Sequence, residues 1–127
     1  MAKVTGIGGV FFKSQDSAKL QAWYVENLGI VPQAEGYIAF AWKEVDNSQD
    51  RQTVWSLFPQ DTTYFQPSTA PFMINYIVDD LDGLLASLRA KGVQVDDKVE
   101  DYGVGRFGWA VDPEGNRFEL WQPSEEK

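Results

Sequence analysis

The chain of 127 residues contains no cysteine and no histidine. Without cysteine there is no disulfide, no thiolate nucleophile, no cysteine-ligated zinc and no iron–sulfur cluster. Without histidine the Ser-His-Asp triad, HExxH zinc sites, the two-His-one-carboxylate iron site and imidazole general-base chemistry are excluded. Any metal ion would have to rest on oxygen ligands alone. Positive charge is also scarce: 11 Lys and Arg against 19 Asp and Glu leave a formal net charge of -8. Nucleic acid and anionic membrane surfaces both reward clustered Lys and Arg, so neither is expected as a partner. The balance favours a neutral or cationic ligand. No apolar run reaches the roughly 18 residues of a membrane span. Residues 1–15 also lack the charged and apolar regions of a secretory signal, and a cytoplasmic location is expected.

What the chain does have is aromatic residues, with eight Phe, five Trp and five Tyr. Its length allows one domain, or two small modules sharing a core. The order of elements favours the second. Val4–Phe12 reads as a strand, and Ser17 can cap a helix through Asn27 with Leu20, Trp23, Tyr24 and Leu28 at helical spacing. Gly29 stops it. Strands follow at Tyr37–Trp42 and Val54–Phe58, and then residues 59–71, with three prolines and no periodicity, read as a linker. The pattern recurs in Phe72–Val78, a helix opened by Asp79-Asp80 with Leu81, Leu84, Leu85 and Leu88 as its apolar stripe, and strands at Val93–Val95, Arg106–Val111 and Arg117–Trp121. Sliding one half over the other pairs Val10 with Ile74, Phe12 with Tyr76, Asp16 with Asp80 and Leu20 with Leu84. A half of about 60 residues would be marginal alone. One face of its sheet can take its own helix; the other must meet the second half, a partner subunit or a ligand.

These residues resemble a known family. Gly9-Val10 through Asp16, followed by Trp23-Tyr24-Val25-Glu26-Asn27-Leu28-Gly29, is similar to the first module of the vicinal oxygen chelate superfamily. That superfamily includes glyoxalase I, bleomycin-resistance proteins, fosfomycin-resistance enzymes and extradiol dioxygenases. Ile77-Val78-Asp79-Asp80-Leu81-Asp82 resembles the opening of its second module, and Asp112-Pro113-Glu114-Gly115-Asn116-Arg117-Phe118-Glu119-Leu120 is the most specific match. The Asp-Pro-Glu-Gly-Asn run is itself a turn, with Pro113 fixing φ and Gly115 supplying a positive one. The resemblance implies an α+β fold: two tandem βαβββ modules, 1–58 and 72–127, joined by the linker 59–71, forming a cupped mixed sheet with the helices outside. It also implies a homodimer, and in metal-using members one ligand on the first and last strand of each module. Those positions hold Gly9, Ser56, Met73 and Glu119 here. Glycine has no ligating side chain, a thioether is too soft for the ions carboxylates favour, and one carboxylate does not hold a catalytic ion. No metal and no cofactor is expected.

Strand alternation places the side chains that remain. If Gly9, Ser56, Met73 and Glu119 face the cup, so do Phe11, Lys13, Val54, Phe58, Asn75, Ile77, Arg117 and Trp121. In the strands 37–42 and 106–111 the bulky Ile38, Phe40, Trp42, Phe107 and Trp109 alternate with small residues, and the bulky set is expected to face the cup. The expected ligand-binding residues are Phe11, Phe40, Ser56, Phe58, Met73, Asn75, Trp109, Glu119 and Trp121. Such a lining suits a flat organic molecule, aromatic or cationic. Glu119 must be protonated, solvated or paired, with Arg106, Arg117 and Lys13 as candidate partners. Three readings follow: a metal-free binding protein, a metal-independent enzyme with Glu119 as general acid or base, and an interaction module whose cup is packed shut.

Overall fold

The structure is a computed structural model that describes residues 2–33, 36–45 and 47–124. These residues form two helices and an eight-stranded mixed sheet, the α+β architecture expected. The first half contributes β1 (Val4–Ser14), α1 (Ser17–Leu28), β2 (Ile38–Lys43) and β3 (Asp50–Pro59). The second contributes β4 (Phe72–Val78), α2 (Leu81–Ala90), β5 (Gln94–Val95), β6 (Glu100–Asp101), β7 (Gly105–Val111) and β8 (Arg117–Pro123). The sheet runs β2-β3-β1-β4-β8-β7-β5, with β6 also pairing β7. The halves join where β1 meets β4 antiparallel, Gly9 opposite Asn75 and Phe11 opposite Met73. The two halves therefore share one continuous sheet. No helix among the described residues is long and apolar enough to cross a membrane.

Both helices lie on the outer face. Asp80 caps α2 by accepting the Gly83 N–H at 3.1 Å, and Leu81 and Leu85 sink into a core with Val78 and Leu120. Leu84, Leu88, Tyr76 and Phe118 pack around it, so the four-leucine stripe does what its spacing requires. The first helix covers less. Its cap is Asp16, which accepts the Lys19 N–H; Ser17, the expected cap, is the first helical residue. Gly29 ends it in the left-handed region at φ 68°. Tyr24 of α1 packs edge-on to Trp55 and Phe12, but Trp23 and Leu28 stay exposed and no α1 residue is fully buried.

Two local features shape the inner face. The β1–β4 register shifts between Ile7 and Gly9, a bulge at Gly8. A Cβ there would run into Asn75, Trp121 and Ile77, so the close approach of β1 to β4 and β8 needs glycine. The second feature is the path of the connection between the halves, read from the sequence as the linker 59–71. Residues 60–71 do not form a free tether: they fold onto the inner face, where Phe65 is fully buried in a cluster with Met73 and Trp109, lies 5.2 Å from the Phe58 ring, and Phe11 packs against that cluster.

Candidate functional site

Register assigns the inner face. Gly9 lies opposite Val54 and Asn75, Phe11 opposite Ser56 and Met73, Asn75 opposite Glu119, and Glu119 opposite Trp109. Partners across a ladder share a face, so Phe11, Ser56, Phe58, Met73, Asn75, Trp109, Glu119 and Trp121 all point into the cup as expected. Phe40 does not. Ile38, Phe40 and Trp42 stand opposite Trp55, Thr53 and Arg51, whereas Val54 stands opposite Ala39. Ile38 and Phe40 therefore belong to the outer face, and Phe40 is half exposed there, away from the other candidates, whereas Trp42 at the end of the strand reaches the groove described below. In β7 the expectation for Phe107 and Trp109 holds.

The centre of the cup is built around one carboxylate. Glu119 is 3% exposed, and its oxygens accept three hydrogen bonds. Asn75 Nδ2 donates to Oε1 at 2.5 Å, Trp109 Nε1 donates to Oε2 at 2.9 Å, and the Tyr64 hydroxyl also donates to Oε2. None of these donors is a cation. The expected ion pairs form elsewhere: Arg117 Nη2 binds Asp96 at 2.7 Å and Arg106 binds Asp82 at 2.8 and 2.9 Å. Lys13 lies over the Phe65 ring at 5.7 Å. Burial, and then the negative charge of Glu119, push the Tyr64 phenol well above its ordinary range.

Tyr64 was not among the expected residues, because a linker without periodicity gives no reason to aim a side chain inward. The one local signal is an aromatic pair, Tyr64-Phe65, in an otherwise polar, proline-containing stretch. The segment is tied down on both sides. Arg117 Nη1 donates to the Tyr64 carbonyl, and its guanidinium covers the Tyr64 and Trp109 rings at 5.6 and 5.3 Å. Tyr64 stacks on Phe58 at 5.7 Å with 8° between planes.

The four positions that carry ligands in metal-using relatives do not fit an ion. Gly9, Ser56 and Met73 offer at most one hydroxyl and a thioether, and the Glu119 oxygens already accept three donors. Among the described residues no group of three or more Asp, Glu, His or Cys is placed to hold one. The Asp-Pro-Glu-Gly-Asn turn is occupied with itself: Asp112 accepts the Glu114 and Asn116 N–H groups, each at 2.9 Å.

Open space lies at the mouth of the cup. A groove of about 1110 Å³ runs between β2–β3 and β8, lined by Tyr37, Trp42, Val54, Arg51, Val104 and Trp121 among others. Trp121 lines one side of it and is backed by Phe107, stacked at 5.6 Å, with Tyr102 5.1 Å from Phe107 in turn. Charge on the lining is mixed, with Lys43 bound to Asp50 at 2.6 Å and Arg51 to Glu44 at 3.3 Å. Of the expected ligand-binding residues only Trp121 reaches this groove; apart from Phe40 on the outer face, the others lie beneath the Tyr64–Phe65 segment or along the inner wall.

The Glyoxalase-like domain family matches the chain over residues 9–121. No curated protein matches it. Among solved structures, methylmalonyl-CoA epimerase from Mycobacterium tuberculosis is 19% identical with a TM-score of 0.59, covering 96% of this chain and 90% of the other. A variant of the Streptomyces coelicolor epimerase, in complex with 2-nitronate-propionyl-CoA, is 17% identical with a TM-score of 0.68, covering 97% and 100%. A glyoxalase/bleomycin resistance protein/dioxygenase superfamily member from Vibrio splendidus 12B01 is 14% identical with a TM-score of 0.53, covering 96% and 99%. At these identities the likeness is one of fold.

Proposed function

Because the chain belongs to the glyoxalase-like domain family, whose fold commonly binds small molecules, we propose that it takes up a flat aromatic molecule at the mouth of its cup, without a metal. The observation that carries this reading is the groove of about 1110 Å³ with the aromatic residues Tyr37, Trp42 and Trp121 in its lining. Aromatic walls bury a flat ring while a few polar groups orient it. Gln52, Arg51 and Asp50 supply such groups here. The ring, rather than its charge, is the feature recognised. A preference for cations would rest on Glu119, and that carboxylate is engaged by Tyr64, Asn75 and Trp109. The same engagement weighs against Glu119 as a general acid or base, which must come within hydrogen-bond reach of a reacting atom.

The metal-free part of the reading rests on the donor chemistry at Gly9, Ser56 and Met73. The homodimer implied by the resemblance belongs to the reading as well, and light scattering at several concentrations checks it. The binding test is a fluorescence titration with a matched naphthalene series, neutral, amine and carboxylate. Saturable quenching is expected for all three, with affinities within about tenfold. Trp121→Ala should weaken each by tenfold or more, since truncating a central aromatic anchor costs about 2 kcal/mol or more. Quenching that never saturates, or that is unchanged in Trp121→Ala, would contradict the assignment.

A further inference from the structure

The connection between β3 and β4 is longer than its path. β3 ends with Pro59 beside Ser14, and β4 begins with Phe72 beside Phe12, so the two ends flank β1 at the same edge. Crossing one strand is a span of about 10 Å, which four or five extended residues would cover. The chain spends residues 60–71 on it and folds the excess into the cup.

The pocket that receives the excess is chemically specific. Tyr64 places a ring against Phe58, its edge toward Trp109 at 6.4 Å, the Arg117 guanidinium over its face, and its hydroxyl on Glu119. The carboxylate is held for that hydroxyl by Asn75 and Trp109. Flat ring, stacking partner, cation over the face and an acceptor at the far end together describe a receptor for a phenol. Tyr64 is only partly buried, so this occupant sits at the surface of the plug, with the fully buried Phe65 beside it.

We propose that the pocket formed by Glu119, Trp109, Phe58 and Arg117 is a phenol-binding site which the chain fills with its own Tyr64, and that a free phenolic ligand binds by displacing this side chain. The ligand class is an aromatic ring bearing a hydroxyl donor; toluene-like rings lack the hydrogen bond to Glu119. Tyr64 then acts as an internal competitor that sets a threshold for occupancy. The site is separate from the groove at the mouth and does not depend on a ligand binding there.

Calorimetry with 4-methylphenol and with toluene on wild type, Tyr64→Phe and Tyr64→Ala tests this, with the Trp109 indole N–H resonance as a local readout. Tyr64→Ala should bind 4-methylphenol at least about tenfold more tightly than toluene, the usual worth of a hydrogen bond to a charged group. Tyr64→Phe keeps the ring but releases the carboxylate oxygen. It should bind 4-methylphenol about tenfold more tightly than the wild type, and saturation should move the Trp109 resonance in each protein. Tyr64→Phe also decides the matter if Tyr64→Ala does not fold. Equal affinity of Tyr64→Ala for the phenol and for toluene would reduce the site to an apolar hole and overturn the proposal. An affinity in Tyr64→Phe no higher than in wild type would show the segment to be fixed core, and would overturn it equally.

Discussion

Among the described residues Glu119 accepts from three donors, none of them a cation, which is an unusual way to keep a carboxylate at 3% exposure. An ionised carboxylate is acceptor-only, so it matches that surrounding where an amide cannot. Glu119→Gln would turn an amide N–H₂ toward at least one of Tyr64, Asn75 and Trp109, donor against donor. The variant should be less stable by about 1.5–3 kcal/mol, the range for a hydrogen bond to a charged group, read as a lower denaturation midpoint at unchanged slope. Tyr64 gives a second expectation. Its phenol is raised in the folded state by burial and by Glu119, so folding favours the protonated form. Its contribution is complete below the unfolded phenol value near pH 10 and is lost as pH rises from there toward the higher folded value. Alkaline titration at 295 nm should show one phenol whose ionisation coincides with unfolding, and Tyr64→Phe should abolish that phase. A variant whose titration matches the wild type would place the late phenol elsewhere.

At the scale of elements, the residues differ in how much they disclosed. The α2 stripe of Leu81, Leu84, Leu85 and Leu88 announced its buried face, and β1, β3, β4 and β8 alternate clearly enough to place Phe11, Phe58, Met73, Asn75 and Glu119 inside. β2 misled because its alternation, bulky Ile38, Phe40 and Trp42 against Ala39 and Ala41, says that two faces differ but not which is inner. Parity there is set by register against β3, a tertiary fact, and it sends Ile38 and Phe40 outward while Trp42 still reaches the groove. Residues 60–71 carried no period at all, so their burial was invisible until Phe65 appeared beneath Phe58 and Trp109. Phe65, the fully buried residue of that segment, should therefore behave as core. Phe65→Ala leaves a ring-sized void among Met73, Trp109 and Phe58 and should cost about 3–5 kcal/mol. A loss under 1 kcal/mol in chemical denaturation would mean that the linker is detached in solution.

The whole molecule is a small acidic chain whose two halves make one cup, sealed at its centre by its own connection and open at its mouth. The absence of cysteine and histidine and the residues at Gly9, Ser56 and Met73 are the sequence features on which the proposal of binding without a metal rests. The division between a filled centre and an open mouth was not readable, because it depends on where Tyr64 and Phe65 go. The central claim is that such a cup binds a flat organic molecule through its rings and not through an ion. Calorimetric titration of a neutral naphthalene derivative, before and after exhaustive dialysis against a chelator, tests this most directly. The account expects saturable one-to-one binding with the same affinity in both preparations. Binding that disappears on chelation and returns with an added divalent ion would contradict it.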